Sequence, residues 1–336
     1  MYKLSILTPI YNVESFFEKC TRSLFEQTYS NLEYVFVDDC SPDNSIAILN
    51  RVLEEYPNRR EQVKLIVNKK NLGASASKNI AIDNATGEFV CFVDADDWLE
   101  LNAIESLVNE QQKTGTDVVW GRLVEHTREG NYEMTEPLYK NKHDWIMCYC
   151  RLTTGIGMSN SKRIIRKRLL EQYHIRSVNG FNYSEDKLLL AQVAYYANGC
   201  SVIDDVVYHY NRLNPVSATS KQSGNFNKDV FRQENGSLQC MEDFFSTKES
   251  IYYQTLLKAR MHYLKENLDN AVRFSSPEGF KEVLRVIDSK NPDFLGEIGW
   301  DSWKRVFYRN YYYMKYLPKI KRRIYRLIGN TATTHD

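Results

Sequence analysis

The chain has 336 residues, of which 43% are hydrophobic and 26% charged, and its formal net charge is +1. This is the composition of an ordinary folded protein, and the near-neutral charge argues against nucleic acid as a partner. The seven cysteines are odd in number and lack zinc-site spacing, so we expect free thiols in a reducing compartment. Without a signal peptide or an apolar run of ~20 residues, a cytoplasmic location is predicted.

Short apolar runs alternate with amphipathic stretches through the first 121 residues. Strands are predicted at Leu4–Leu7, Tyr34–Val37, Val63–Val67, Phe89–Val93 and Val118–Trp120. Apolar residues fall at helical spacing between them, and the last two helices are predicted at Ala74–Ala85 and Leu101–Gln112. Such alternation indicates βαβ units, so the predicted fold class is α/β with a doubly wound, mostly parallel, Rossmann-like sheet.

The pattern is less regular after residue 121. Arg163–Tyr173 and Glu185–Ala197 are predicted as helices, and Val202–Tyr210 as one or two strands. From about residue 226 the pattern is almost wholly helical, and the polar run before it breaks the periodicity. We therefore predict a first domain over 1–222, with halves 1–121 and 122–222, and a helical C-terminal region over 226–336.

Three carboxylates, those of Asp94, Asp96 and Asp97, follow the apolar run Phe89–Val93. In an open parallel sheet, the carboxyl ends of the strands form the edge at which ligands bind. Carboxylates this close repel each other, which indicates that a cation or a donor-rich ligand belongs there. A turn followed by a helix cap is the plain alternative, and Asp97 is predicted to cap the next helix.

The usual phosphate-binding loops are missing. Residues 8–12, which follow the first strand, contain no glycine and so cannot form a dinucleotide loop, and the chain has no P-loop sequence. A diphosphate bound at this edge therefore needs another source of positive charge. A divalent cation held by carboxylates is the obvious source.

Other side chains follow the predicted strands toward the same edge. Tyr11 offers a ring on which a base can stack, and the carboxylate of Asp39 can accept the imide N–H of uracil or thymine. Lys78 adds a positive charge from the helix after the third strand. Asp94 suits ribose hydroxyls and Asp96 suits the cation. Each residue also has an ordinary structural role open to it, and only their joint placement indicates a nucleotide site.

Four motifs, in this order, resemble the signatures of family 2 glycosyltransferases. They occupy residues 8–12, 37–45, 71–79 and 93–97. The resemblance covers about residues 1–220. It implies a GT-A fold, a nucleotide-diphosphate sugar donor (most simply a UDP-sugar), Mn²⁺ or Mg²⁺, and inversion at the anomeric carbon. On this basis 1–121 is the nucleotide-sugar half, 122–222 the acceptor half, and the rest a helical extension.

The resemblance also implies roles for individual residues. The donor site is expected to contain Thr8, Pro9, Tyr11, Asp39, Lys78, Asp94 and Arg212. Tyr11 and Asp39 would face the base and Asp94 the ribose, while Asp94 and Asp96 would bind the cation as a D-x-D motif. The family usually has arginine where this chain has Lys78, which keeps the charge but lacks the bidentate geometry of a guanidinium.

Two further segments resemble parts of the family's site. Glu185 and Asp186 resemble its Glu-Asp pair, in which the second acid takes the proton of the attacking acceptor hydroxyl. Acids in a first helical turn also stabilise a helix without catalysing anything. Residues 208–212 resemble the segment that closes the donor site, so His209 is predicted to complete the metal shell or contact a phosphate, and Arg212 to neutralise the diphosphate. A packed, hydrogen-bonded histidine is the alternative for His209.

The carboxyl-terminal segment is basic and aromatic. Residues 301–336 carry nine Lys and Arg against two Asp, a local charge of +7, and aromatic and aliphatic residues are interspersed over 303–328. This pattern predicts either a helix that lies on anionic lipid or a helix that packs on the first domain. Both interpretations remain open.

The combined prediction is a metal-dependent inverting glycosyltransferase that transfers a hexosyl or N-acetylhexosaminyl group. Its acceptor would be a glycan or a lipid-linked molecule in cell-surface polysaccharide synthesis, at the inner face of the membrane. A sugar-nucleotide nucleotidyltransferase is one alternative, although it would need a glycine-rich basic loop after the first strand. A non-catalytic nucleotide- or membrane-binding scaffold is another, and the presence of Asp94, Asp96 and Asp186 together argues against it.

Overall fold

The structure, a computed structural model, describes residues 2–134, 139, 141–153, 159–215, 217, 226–274 and 276–290. The chain divides into two compact units, one formed by residues 1–221 and 233–256 and the other by 222–232 and 257–336. The predicted boundary lies near 222–228, of which 222–225 are outside the described residues, and so is the predicted lipid-binding segment 303–328. Both therefore stay predictions.

Strands and helices alternate along the described chain. In order they are β1 (Leu4–Ile10), α1 (Glu14–Phe25), β2 (Leu32–Asp38), α2 (Ser45–Glu55), a 3₁₀ helix (Pro57–Gln62), β3 (Val63–Val67), α3 (Ala74–Asn84), β4 (Phe89–Phe92), β5 (Trp98–Leu99), α4 (Ala103–Thr114), β6 (Val118–His126), β7 (Asn131–Met134), α5 (Lys142–Cys150), β8 (Arg163–Arg166), α6 (Lys167–Gln172), α7 (Glu185–Tyr196), β9 (Cys200–Asn211), α8 (Lys228–Phe245), α9 (Ser250–Arg273) and α10 (Pro277–Lys290). The alternation predicted for residues 1–121 is confirmed, with ends that differ by a few residues.

Within the described residues the strands form one sheet in the order β3-β2-β1-β4-β8-β6-β9-β5, and β7 pairs with β6. The first four strands in this order are parallel, so that Leu4 of β1 faces Leu32 of β2 and Phe89 of β4. β8 runs antiparallel to both β4 and β6, which gives β6 the direction of β4, and β9 is parallel to β6. The carboxyl ends of β1, β2, β4 and β6 therefore meet at one edge.

The centre of the sheet is covered on both faces, which explains the continuous apolar runs in the sequence. All residues of β2 and β4 are buried. On one face, α1 places Phe17 and Phe25 against Phe36 in edge-to-face contacts, with ring centroids 6.1 and 6.3 Å apart. This dense packing fixes the strand ends, and with them the residues that follow each strand.

One predicted element was wrong. Residues 163–173 were predicted as a helix, but Arg163–Arg166 is a strand and only Lys167–Gln172 is helical. Ile164 and Ile165 are fully buried where β8 lies between β4 and β6. A short apolar run of β-branched residues fits a strand as well as a helix, and the neighbouring strands decide between them.

The second unit has a core of its own. It is formed by Phe231, Leu264, Leu268, Ala271, Phe280, Val283 and Ile287. Phe231 lies on α8, and the other six recur at helical spacing along α9 and α10, as the sequence predicted for this region. In the described part of the chain, no helix is both long enough and apolar enough to cross a membrane.

Candidate functional site

Asp94 and Asp96 lie in the turn that follows β4, at the edge where the parallel strands end. The turn is closed by the backbone N–H of Asp97, which donates to the carbonyl of Asp94 at 3.0 Å. The side chain of Asp94 is 40% exposed. Burial and the charge of Asp94 raise the pKa of Asp96 to about 6, although Asn214 donates to its Oδ2 at 2.8 Å. A cation beside the two carboxylates would relieve this repulsion.

Asp97 does not cap a helix, so that prediction was wrong. α4 begins only at Ala103, and the buried carboxylate of Asp97 instead accepts hydrogen bonds from the Tyr208 hydroxyl at 2.6 Å and the Asn211 backbone N–H at 2.7 Å. Burial and the neighbouring acids raise the pKa of Asp97 well above its usual range. Asp97 therefore ties β9 to the turn that carries the other two acids.

Replacing Tyr208 with phenylalanine tests this tie. The hydroxyl also accepts from the Asp94 backbone N–H at 3.2 Å, so its loss leaves two buried polar groups without this partner. The free energy of unfolding should fall by about 1–3 kcal/mol, measured by urea denaturation. Tyr132, which is 47% exposed, is the control, and its phenylalanine variant should change stability by less than about 0.5 kcal/mol. Equal values for both variants would contradict the assignment.

Asp39 follows β2, where the sequence predicted it, but its carboxylate is buried beneath a loop. It accepts hydrogen bonds from the backbone N–H groups of Leu72 and Gly73 and from the side-chain amide of Asn68, each at 2.8 Å. Gly73 has a φ of +89°, a conformation that favours glycine. Asp39 thus shapes the loop that leads into α3, and its contact with a base stays a prediction.

Three residues of the predicted site, Thr8, Pro9 and Tyr11, lie at or just after the carboxyl end of β1. Thr8 is buried, and its Oγ1 has no hydrogen-bond partner among the described residues. Pro9 is the next residue of the strand, and Tyr11, which follows the strand, is 47% exposed. The Tyr11 ring is therefore accessible to a stacking ligand.

Lys78 connects the acid turn with the start of α7. Its buried Nζ lies 3.7 Å from Asp94 Oδ1, 3.0 Å from Glu185 Oε1 and 3.2 Å from Asp186 Oδ1. Burial alone would lower the pKa of Lys78, but Asp186, Asp94 and Glu185 outweigh it and raise that pKa well above its usual range. The lysine therefore stays charged, and its described partners are protein carboxylates. The predicted contact with a diphosphate gains no support from this arrangement.

Asp186 is held from two sides. Asn160 donates its backbone N–H to Oδ2 at 3.0 Å and its side-chain amide to Oδ1 at 2.5 Å, and Lys78 also donates to Oδ1. Burial raises the pKa of Asp186 to about 7, whereas the charge of Lys78 lowers it. Its side chain keeps 16% of its surface exposed. Asp186 is thus a partly exposed carboxylate whose pKa is raised by burial. Sequence reasoning missed Asn160, which lies in the irregular region and in no recognisable motif.

The side chains of His209 and Arg212 have partners other than Asp94 and Asp96. The His209 ring nitrogens lie 2.9 Å from His126 Nε2 and 2.7 Å from Glu100 Oε1, and Arg212 pairs with Glu125. From β9, the Tyr208 hydroxyl and the Asn211 amide reach the acid turn instead. This geometry does not support His209 as a metal ligand or Arg212 as a diphosphate contact.

The loop before α7 is braced by α8. Gln233 accepts from the Asn182 backbone N–H at 2.7 Å, and the Ser237 hydroxyl donates to the Ser184 carbonyl at 2.8 Å. Ser184 has a φ of +59°, which is unusual for a residue other than glycine and is held by these contacts. The first turns of α8 therefore fix the loop that presents Glu185 and Asp186, a role that helical periodicity alone could not predict.

The family model described as "Glycosyl transferase family 2" matches residues 5–174 of this chain. This region contains the strand ends and the acid turn described above. The chain belongs to glycosyltransferase family 2.

Curated relatives carry glycosyltransferase names. The chain is 34% identical to glycosyltransferase GlyA of Streptococcus pneumoniae over 209 residues, 58% of this chain and 29% of GlyA. Glycosyltransferase GlyG of the same species is 25% identical over 224 residues, 62% of this chain and 70% of GlyG. TarS of Staphylococcus aureus, a poly(ribitol-phosphate) beta-N-acetylglucosaminyltransferase, is 24% identical over 308 residues, 89% of this chain and 49% of TarS.

Solved structures of TarS share the fold of this glycosyltransferase. The crystal structure of S. aureus TarS 1–349 in complex with UDP has a TM-score of 0.60 at 22% identity, over 80% of this chain and 74% of that one. The crystal structure of S. aureus TarS has a TM-score of 0.64 at 21% identity, over 87% of this chain and 50% of that one. The predicted GT-A-type α/β fold with a helical C-terminal region is confirmed.

Proposed function

We propose that this glycosyltransferase moves a sugar from a UDP-sugar to an acceptor hydroxyl with inversion at the anomeric carbon. The observation that carries the proposal is the position of Lys78, whose ammonium joins Asp94 of the acid turn to Asp186 at the start of α7. A donor held at the acid turn would therefore lie next to the group that accepts a proton from the acceptor. This adjacency is what a direct displacement requires.

UDP is the nucleotide that the comparisons favour, because TarS has been crystallised with UDP and with UDP-GlcNAc. The exposed ring of Tyr11 suits base stacking. The names of two relatives describe transfer of glucose or N-acetylglucosamine to poly(ribitol-phosphate), which supports a hexosyl or N-acetylhexosaminyl donor and a cell-surface glycan or lipid-linked acceptor. Seven free cysteines suit a cytoplasmic site of action, which we place at the inner face of the membrane.

Asp94 and Asp96 fit a divalent cation, Mn²⁺ or Mg²⁺. The described residues contain no cluster of three or more potential metal-ligating side chains, but Mg²⁺ is commonly held by one or two carboxylates together with substrate phosphates. The raised pKa of Asp96 suits an acid pair that is completed by a positive charge. Such a cation would stabilise the negative charge that develops on the leaving diphosphate.

Asp186 is the proposed general base. A carboxylate has about four lone-pair sites, and the described donors occupy three of them, two on Oδ1 and one on Oδ2. The remaining site on Oδ2 would accept the acceptor hydroxyl proton. As the acceptor hydroxyl oxygen forms its bond to the anomeric carbon C1, the bond from C1 to the diphosphate oxygen breaks. The diphosphate leaves from the opposite face.

Release of UDP from a panel of UDP-sugars, with Mn²⁺ or with EDTA, tests the function. We expect metal-dependent UDP release that an acceptor stimulates, and a product of inverted anomeric configuration. Release of pyrophosphate would instead indicate a nucleotidyltransferase. Failure of every donor to react, despite metal-dependent binding, would indicate a non-catalytic scaffold.

The pH dependence of kcat/KM for the donor provides a further prediction. Because burial raises the pKa of Asp186 to about 7, the free enzyme carries a protonated, inactive base below that pH. The value of kcat/KM should therefore be constant at higher pH and fall tenfold per pH unit below about 7, until protonation of Asp96, whose pKa is about 6, steepens the fall. Initial rates between roughly pH 5 and pH 9 at fixed ionic strength measure it. An acid limb near pH 4, the usual range of an exposed carboxylate, would contradict the prediction.

A further inference from the structure

Asn160 makes a two-point contact with the carboxylate of Asp186. Its backbone N–H donates to one oxygen and its side-chain amide to the other, at 3.0 and 2.5 Å. Two donors from one residue fix both the position and the rotation of a carboxylate, as a single donor cannot. Asn160 is itself only 1% exposed, so its own side chain has little freedom to move.

The same side chain carries a feature that lowers stability. Its Oδ1 is buried and has no hydrogen-bond partner among the described residues. The amide cannot be turned around to satisfy this oxygen, because Oδ1 would then face the Asp186 carboxylate. A buried acceptor without a partner is costly, and residues that break a local rule in this way are expected at functional sites.

We propose that Asn160 is a positioning residue that orients the Asp186 carboxylate for proton transfer. This inference rests on the proposed role of Asp186 as the general base. With both donors in place, the fourth lone pair, on Oδ2, is left facing the acceptor. Asn160 brings no charge of its own to the site.

The charged groups around Asp186 determine what the loss of Asn160 should do. They are Lys78 on α3, Glu185 on α7 and Asp94 after β4. Burial and the two acids raise the pKa of Asp186, whereas Lys78 and the backbone hydrogen bond from Asn160 lower it. The side-chain amide of Asn160 also donates to Oδ1, and a donor to a carboxylate favours its ionised form. Removing the side-chain amide therefore takes away one of the groups that favour the ionised base.

Two variants test the proposal. Asn160→Leu replaces the amide with an apolar side chain of similar size, and Asn160→Asp keeps the shape but places a second carboxyl against Asp186. In both, kcat should fall by up to about 100-fold, and the acid limb of the pH profile should move up by about one pH unit. The Kd for UDP with Mn²⁺, measured by calorimetry, should stay within about threefold.

Asn84→Leu is the matched control, since among the described residues its amide donates to the Ile80 carbonyl within α3 alone, and its pH profile should match that of the wild type. If Asn160 had only a structural role, its substitution would lower the unfolding midpoint and leave the acid limb of the pH profile unchanged. An acid limb unmoved in both variants, with Asp186→Asn inactive, would overturn the proposal. Full activity of Asp186→Asn would overturn the proposed base itself. If Asn160→Leu does not fold, the pH profile of Asn160→Asp alone tests the proposal.

Discussion

Replacing Asp186 with asparagine is expected to lower kcat for sugar transfer by about 10²- to 10⁴-fold. The amide keeps the size of the side chain but cannot take the acceptor proton. The donor would still bind, because Asp94 and Asp96 are unchanged, so its Kd should stay within about threefold. Single-turnover rates with a UDP-sugar and Mn²⁺ give the first quantity, and calorimetry with UDP gives the second.

The control for this variant is Asp83→Asn. Asp83 also lies on the catalytic domain, but its carboxylate is 59% exposed and pairs with Arg176 at 2.7 Å. We expect wild-type rates from it, because exposed ion pairs contribute little. Transfer by Asp186→Asn at more than about a tenth of the wild-type rate would rule out general-base catalysis by this carboxylate.

The sequence sufficed for the first half of the fold because its central strands are buried on both faces. Continuous apolar runs separated by amphipathic stretches are typical of a parallel sheet between two layers of helices, and the fully buried β4, predicted at Phe89–Val93, spans Phe89–Phe92. The later strands were harder to predict from the sequence. β8 is short and lies between β4 and β6, and its environment comes from residues far away in sequence, which periodicity does not record.

In the site, too, the sequence predicted the residues whose position is local and missed the contacts made across the chain. Asp94 and Asp96 were predicted from their place after a strand, a local property of the chain. The contacts that fix the base are not local: Lys78 reaches Asp186 across 108 positions and Asn160 reaches it across 26. The described partners of His209, namely His126 and Glu100, also lie far from it in sequence, and its predicted contact with a metal or phosphate stays a prediction.

Lys78 has partners that the sequence did not predict. It was expected to neutralise a diphosphate, which stays a prediction, and the structure buries it against three carboxylates. An isolated buried ammonium would be costly, and the three acids would repel one another without it. The cluster therefore holds the acid turn and the start of α7 together. A cation bound at Asp94 and Asp96 would then supply the charge that the diphosphate needs.

Asp96→Asn should abolish the metal dependence of donor binding. Asparagine has the same shape and can still accept from Asn214, but it lacks the charge that a divalent cation requires. The Kd for UDP in the presence of Mn²⁺ should rise by more than about 100-fold, and EDTA should have no further effect. Calorimetric titration of UDP into the apo variant, with Mn²⁺ and with EDTA, measures both.

The stability of Asp96→Asn separates loss of the cation from loss of folding. Without metal, burial and the charge of Asp94 disfavour a negative charge on the half-buried Asp96 and raise its pKa to about 6. Removing that charge should leave the metal-free unfolding midpoint unchanged or higher at neutral pH, because a raised pKa means that ionisation opposes folding there. Mn²⁺ with UDP should raise the midpoint of the wild type and of Asp186→Asn, but not that of Asp96→Asn. If the two variants respond alike, the separation of a metal-binding acid from a proton-accepting acid is wrong, and the cluster around Lys78 acts as a single unit.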